Sequence, residues 1–297
     1  MTPTIALTIA GSDSGGCAGL QADLRTFAAL GVHGTCAVTA VTAQNTRAVL
    51  AVVALDPEMV VAQVEAVLSD LPPAAVKTGM LANAATVAAV AGLAARHLLP
   101  NLVVDPVLVS TSGHLLMGEG GVDAYRDLLL PHADVVTPNL REAAVLTGRS
   151  FHDLATVEAM VAAAEDLRAL GASTVVVKGG HADQVGAPDA AGSPDVVAGP
   201  EGTVVLDAER VRTANDHGTG CSLSAAIAAH LALGAPPPVA VARAKDLVHR
   251  ALAGAAGWKL GAGHGPIDHF GWSEADGGSH VAGGGAGGGD SADRRRP

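Results

Sequence analysis

The chain has 297 residues, 49% of them apolar but only 2% aromatic, and carries a formal net charge of −11 with a pI near 5.4. That acidity excludes nucleic acid and anionic membrane surfaces as partners, since both require basic patches, and it leaves any phosphate site dependent on local donors. No apolar run approaches the ~20 residues that span a bilayer. Three cysteines with neither a CxxC pair nor metal-ligand spacing, and no signal peptide, predict a reducing, cytoplasmic setting.

Residues 5–10 form a continuous apolar run, as a buried parallel strand requires. Residues 18–30 have helical spacing and end at Gly31, a residue suited to the position just past a helix. Residues 33–43 and 49–55 read as strands, and Asp56-Pro57 opens the next helix with proline at its first position. A short strand at 76–78 follows. Segments 83–97, 102–107, 125–130, 135–137 and 139–147 continue the alternation. Residues 156–170 form a strong helix, 174–178 a strand, 203–211 a strand and 222–233 a helix. Such alternation predicts an α/β fold, a mostly parallel central sheet with helices on both faces. The Gly-, Pro- and Asp-rich stretch 182–201 predicts a mobile loop. Residues 273–297, Gly-rich and poor in apolar side chains, predict a disordered tail after a folded domain of 1–272.

Between the last strand and the last helix lies Asn215-Asp216-His217-Gly218-Thr219-Gly220-Cys221. A helix N-terminus carries unpaired N–H donors and roughly +0.5 of a charge, so it binds phosphate without a cationic side chain. The same field lowers the pKa of a thiol in the first turn, which makes Cys221 a candidate base. A plain helix cap with a buried cysteine behind it is the alternative. There is no GxxxxGK[ST] motif. Gly11-Ser12-Asp13-Ser14-Gly15-Gly16 follows the first strand but lacks the GxGxxG pattern of a dinucleotide loop.

Further segments stand in order along the chain: Thr39-Ala40-Val41-Thr42-Ala43-Gln44-Asn45-Thr46, Val103-Val104-Asp105-Pro106-Val107, Thr137-Pro138-Asn139-Leu140-Arg141-Glu142, Val177-Lys178-Gly179-Gly180-His181 and Gly263-His264-Gly265-Pro266. With the glycine segments above, this ordered set resembles the ribokinase-like kinases. Within that superfamily it is similar to the hydroxymethylpyrimidine/phosphomethylpyrimidine kinases of thiamin biosynthesis, from about residue 5 to residue 270. The resemblance implies a ribokinase-like fold. It implies ATP-dependent phosphorylation of 4-amino-5-hydroxymethyl-2-methylpyrimidine and then of its monophosphate, with Mg2+. Pyridoxal kinase, or one enzyme serving both substrates, is the alternative. The partners expected are these small molecules and, in the assembly, a homodimer. The resemblance also implies a flexible segment near the nucleotide in the 182–201 stretch.

The resemblance places Gly11 at the pyrimidine pocket with Asp23 nearby, and gives Gln44 the aminopyrimidine edge. A primary amide offers an acceptor beside donors, which complements an amino group beside a ring nitrogen. Met80 packs on the ring or serves as core filler. Asp105 stands at the carboxyl end of a buried strand, where ligands bind in open α/β sheets. Asn139 and Glu142, in N-x-x-E spacing, are implied to organise magnesium and phosphate, and the same spacing makes a capping box. Lys178 meets ATP phosphate as a point charge. Thr213 and the backbone of Gly218, Thr219 and Gly220 complete the nucleotide side. Lys245 is a nucleotide-pocket candidate or part of a solvated helix face. Many sugar kinases of the wider superfamily carry aspartate where this chain has Cys221. Asp216 and Ser222 stand where threonines are expected in the family, and neither change removes the backbone cradle.

Overall fold

The computed structural model describes residues 2–108, 117–118, 120–180 and 192–275. Its elements run β1 (Ile5–Asp13), α1 (Gly19–Ala29), β2 (His33–Gln44), β3 (Val49–Ala54), α2 (Pro57–Asp70), β4 (Ala75–Thr78), α3 (Ala84–Ala95) and β5 (Leu102–Val104). Next come α4 (Gly121–Ala124), a wide turn at Tyr125–Leu129, β6 (Val135–Val136), α5 (Leu140–Thr147), α6 (Val157–Ala169), β7 (Thr174–Lys178), β8 (Asp195–Gly199) and β9 (Gly202–Leu206). The last elements are α7 (Thr219–Ala232), α8 (Pro237–Ala255) and α9 (Trp272–Ala275).

Among the described residues the strands form one sheet in the order β3-β2-β1-β4-β5-β6-β7-β8-β9. The central run from β2 to β7 is parallel, and β3, β8 and β9 pair antiparallel at the two ends. Alternate residues of each central strand enter opposite cores. Leu7, Val76, Leu102, Val104, Val136 and Val175 pack under α2, α3, α5 and α6. Ala6, Ala75, Val103, Val135 and Val176 pack under α1, α7 and α8. A strand buried on both faces must be apolar at every position, which is why these strands read as unbroken runs. Helix α7 meets the sheet through Ala225, Ala226, Ala228 and Ala229, all fully buried, and such short side chains let it lie close to the strand ends.

The topology locates a crevice. From β1 the chain moves to β2 and β3 on one side, then returns to β4 on the other. Strand order therefore reverses at β1, and ligands bind outside the carboxyl ends of strands at such a switch point. Gly11 and Asp13, Gly79 and Met80, and Asp105 all lie at those ends.

Four expectations change. Strand β8 lies inside the stretch expected to be a loop: its Val196, Val197 and Ala198 are a short apolar core hidden in a window dominated by Gly, Pro and Asp, and β7 and β9 pair with it on either side. The remainder of that expected loop, 182–191, lies outside the described residues. Strand β5 ends at Val104, because Pro106 has no N–H to continue a ladder. Strand β9 ends at Leu206 rather than at residue 211. The ordered domain also reaches past residue 272. Ser273 is in α9, its hydroxyl donates to the Gly254 carbonyl at 2.7 Å, and its N–H donates to Asp268 at 3.0 Å. The rest of the expected tail, 276–297, lies outside the described residues.

Candidate active site

The start of α7 lies at the carboxyl ends of the strands, where Ser224 donates to Asp105 and Gly220 faces Lys178. Gly218 precedes it with φ of +88°, and a side chain there would overlap the Cys17 carbonyl oxygen, so only glycine fits. Helix geometry leaves the N–H groups of the first turn without intrahelical acceptors. The N–H of Thr219 turns back to the Asp216 carbonyl at 3.3 Å. Over Gly220 stands Lys178, its Nζ 3.3 Å from where a Cβ would be. The expected cradle and the expected phosphate lysine therefore share one place.

Lys178 is held by Asp105, Nζ to Oδ1 at 2.8 Å. The Asp105 carboxylate also accepts from Thr137 and Ser224, each at 3.3 Å. Burial opposes ionisation of Asp105, but Lys178 and then Lys77 hold its carboxyl below the usual carboxylate range. Burial likewise works against the Lys178 ammonium, which the Asp105 and Glu142 carboxylates more than restore.

Asn139 and Glu142 form a reciprocal capping box at the start of α5: the Asn139 Oδ1 accepts from the Glu142 N–H at 2.9 Å and the Glu142 Oε2 from the Asn139 N–H at 2.8 Å. The capping alternative thus holds alongside a place near Lys178. Burial pushes the Glu142 carboxyl up to about 8, Lys178 pulls it down, and Asp105 pushes it further up. Among the described residues no group of three His, Cys, Asp or Glu side chains is placed to hold a metal ion. Two carboxylates already engaged by protein donors suit Mg2+, which keeps several waters and takes few protein ligands.

Asp23 is sealed from solvent. Its carboxylate is fully buried, accepts from Lys77 Nζ at 2.8 and 2.9 Å and from Thr8 Oγ1 at 2.6 Å. Burial raises Asp23, while Asp23 keeps Lys77 an ammonium against its own burial. The short bidentate geometry supports an ion pair. Lys77 is a site residue that the motifs do not mark. The available signal was a lysine inside a four-residue buried strand, since lysine is almost never fully buried unpaired.

Cys221 departs from expectation. The residue is half-buried, and desolvation of its thiol, with Asp23 and Asp105 nearby, pushes it up to about 11. Lys77 and a hydrogen bond from the Gly19 N–H pull the other way without prevailing. The helix field was expected to lower this thiol; loss of water, with two buried carboxylates beside it, raises it instead. The resting thiol is therefore protonated near neutral pH.

On the other wall, Met80 lies against Gly11: a Cβ on Gly11 would run into the Met80 methyl group. Asp13 organises the glycine loop after β1, accepting from the N–H groups of Gly15, Cys17 and Ala18 at 2.8 to 2.9 Å. Gln44 ends β2, half-buried, with Nε2 3.1 Å from His217 Nε2 and Oε1 3.3 Å from the Thr42 hydroxyl. The Gly-rich segment near the C-terminus ties these loops together. Side chains on Gly261 or Gly263 would overlap Thr46, and one on Gly265 would overlap Asn215. The Gly265 carbonyl accepts from the His217 N–H at 3.0 Å.

Thr213 and Lys245 have bracing contacts. Thr213 Oγ1 accepts from the Asn215 N–H at 2.9 Å. Lys245 is no solvated surface residue: its Nζ donates to the Ser193 carbonyl at 2.7 Å and to Asp195 at 2.8 Å, and Asp195 in turn accepts from the Gly179 N–H at 2.9 Å. It thereby anchors the turn that follows Lys178.

Comparison with known proteins agrees with this geometry. A family model described as phosphomethylpyrimidine kinase matches residues 13–268. A hydroxymethylpyrimidine/phosphomethylpyrimidine kinase of Rhizobium meliloti is 51% identical over 268 residues, which is 90% of this chain and 97% of that one. Among solved structures, a phosphomethylpyrimidine kinase of Clostridium difficile is 37% identical with a TM-score of 0.72, covering 84% of this chain and 99% of its own. The pyridoxal kinase of Staphylococcus aureus, solved with AMP-PCP and pyridoxal, is 34% identical with a TM-score of 0.80, covering 92% of this chain and 95% of its own. The fold is ribokinase-like, and the chain belongs to the phosphomethylpyrimidine kinase family.

Proposed function

We propose that this protein transfers the γ-phosphoryl group of ATP to the hydroxymethyl oxygen of 4-amino-5-hydroxymethyl-2-methylpyrimidine, and then phosphorylates the monophosphate. The observation that carries the reading is the contact of Gln44 with His217, the residue next to Gly218. It brings an amide able to read an aminopyrimidine edge against the start of an anion cradle. Phosphoryl transfer asks a protein for positioning and charge stabilisation more than for covalent chemistry. Here Gly11, Gln44 and Met80 bind and orient the pyrimidine. Lys178 and the N–H groups of Gly218, Gly220 and Cys221 face the phosphates, while the Thr219 N–H turns back to Asp216, with Asn139, Thr213 and Lys245 supporting the nucleotide side. Asp105 and Glu142 would be the protein groups that help hold Mg2+, which would supply neutralising charge to the phosphates.

In the transfer, a bond forms between the hydroxymethyl oxygen and the γ-phosphorus while the bond to ADP breaks. The hydroxyl proton goes to Cys221 as thiolate, a minor form in the resting site. That thiolate forms beforehand by loss of the thiol proton to water. Lys77 favours the thiolate, so it and the buried Asp23 tune the base rather than touch substrate.

The similarity to a pyridoxal kinase supports a second reading, in which pyridoxal is also accepted. ATP turnover measured side by side with the aminopyrimidine alcohol, its monophosphate and pyridoxal tests both. Turnover of the first two with weak use of pyridoxal supports the main reading, and dominant pyridoxal turnover overturns it. The protein acts in the cytoplasm, consistent with three unpaired cysteines among the described residues; no helix of the described residues is long and apolar enough to cross a membrane. It forms a homodimer through the edge strand β3, where Val49, Leu50, Val52 and Val53 are all exposed and one side of the strand has no partner among the described strands. Light scattering of the wild type and Leu50→Lys tests that assembly.

A further inference from the structure

We infer that His217 is the residue that fixes which end of the Gln44 amide faces which part of the pyrimidine edge. The inference rests on Gln44 being the reader of that edge. An amide reads polarity only if its two ends are told apart, because a half-turn exchanges carbonyl for NH2 at nearly unchanged shape. The Gln44 nitrogen lies 3.1 Å from His217 Nε2. That nitrogen can only donate, so His217 Nε2 must present its lone pair and the ring proton sits on Nδ1.

The other contact of Gln44 cannot perform this sorting. Thr42 Oγ1 lies 3.3 Å from Oε1, but its single proton has a closer acceptor in the Ser12 carbonyl at 2.9 Å. A hydroxyl can also accept, so it would satisfy either end of the amide. With His217 taking one N–H, the second N–H and the carbonyl of Gln44 remain for a ring nitrogen and an amino group.

His217 is itself held from several sides. Its backbone N–H donates to the Gly265 carbonyl, and its side chain is about one-fifth exposed. The neutral ring that the contact needs is the favoured form. Burial lowers the His217 pKa and His264 lowers it further, outweighing Asp13 and Asp216.

The test compares kcat/KM for the aminopyrimidine alcohol with that for its 4-oxo analogue, 5-hydroxymethyl-2-methylpyrimidin-4-one. The analogue presents an acceptor beside an N–H donor, the reversed pattern. His217→Ala should reduce the amino-over-oxo ratio on the order of tenfold, the size of one mismatched buried hydrogen bond. His217→Glu, which only accepts, should restore the wild-type ratio, and His217→Lys, which only donates, should shift preference toward the oxo compound. A merely structural role would lower both substrates together and leave the ratio unchanged. Gln44→Leu serves as the control. If it leaves the ratio unchanged, the reading of Gln44 fails and the inference with it. If it collapses the ratio while the three His217 variants do not move it, the inference about His217 alone is overturned. Nitrogen NMR of the unliganded wild type needs no variant to fold: a bare Nε2 with the proton on Nδ1 supports the inference, and a protonated Nε2 overturns it.

Discussion

The Nζ of Lys77 lies 2.8 Å from the nearer oxygen of Asp23, and neither side chain is exposed to solvent. This pair links strand β4 to helix α1, and both charges bear on the Cys221 thiol. Its stability arithmetic is asymmetric. Removing one member of a buried ion pair leaves an uncompensated charge and costs about 3–5 kcal/mol, whereas replacing both with apolar groups is often neutral. Lys77→Met should therefore lower stability in chemical denaturation by several kcal/mol, and Lys77→Met with Asp23→Leu should recover most of it. A double mutant as unstable as the sum of the singles would contradict an ionic pair.

Burial and two carboxylates push the Cys221 thiol up to about 11. Alkylation of Cys221, followed by peptide mass mapping to separate it from Cys17 and Cys36, should accelerate about tenfold per pH unit from 7 to 9 without levelling off. A plateau near pH 7 would show an activated resting thiolate instead. Cys221→Ala should lower kcat by about 10²–10⁴-fold, the usual contribution of a positioned base, while KM for both substrates stays close to wild type. Near-wild-type kcat would reduce Cys221 to packing.

Glu142 binds its proton more tightly in the folded protein than in the unfolded chain, with a pKa of about 8 against an ordinary 4.5. The folded state thus holds an extra proton between those values. Its stabilising contribution is complete below the lower value and is lost as pH rises toward the upper one. A divalent cation reaching this carboxylate favours the charged form. Calorimetry at pH 6.5 in buffers of differing ionisation enthalpy should record more proton release on binding of Mg2+ and ATP in the wild type than in Glu142→Gln, since ATP itself gives up a proton to bind Mg2+. Equal release in the two proteins would contradict a role for Glu142 near the metal.

The chain's end divides at a definite place. Removing residues 276–297 should leave activity and melting temperature nearly unchanged. Removing 273–297 also deletes Ser273, which bonds Gly254, Asp268 and the Trp258 indole, and should lower the melting temperature by several degrees. Equal melting temperatures for the two truncations would mean that α9 is not docked.

Much of the fold and part of the site were legible in the sequence, because both rest on local chemistry. Two-faced burial makes β1 and β7 unbroken apolar runs, and Asp105 and Lys178 announce themselves as charges at the ends of such runs. Gly218 signals a backbone that no other residue adopts easily. The strand β8 was missed because three apolar residues carry little pattern when glycine, proline and aspartate surround them. The His217 contact was hidden for a different reason: its partner is 173 residues away, and only the return of the chain to the switch point brings them together. The Cys221 thiol went the wrong way for the same reason. The helix field is local and readable, whereas Asp23 and Asp105 arrive from other elements.

The most direct test of the account is kcat/KM for the aminopyrimidine alcohol and for pyridoxal in the wild type and in Gln44→Leu. The substitution keeps approximate bulk but removes the acceptor and both donors. Each buried substrate group left without a partner costs roughly 1–3 kcal/mol. In Gln44→Leu, KM for the aminopyrimidine should rise sharply, KM for ATP should change little, and pyridoxal, whose ring lacks the amino edge, should lose less. Equal losses for both alcohols would contradict recognition of the aminopyrimidine by Gln44.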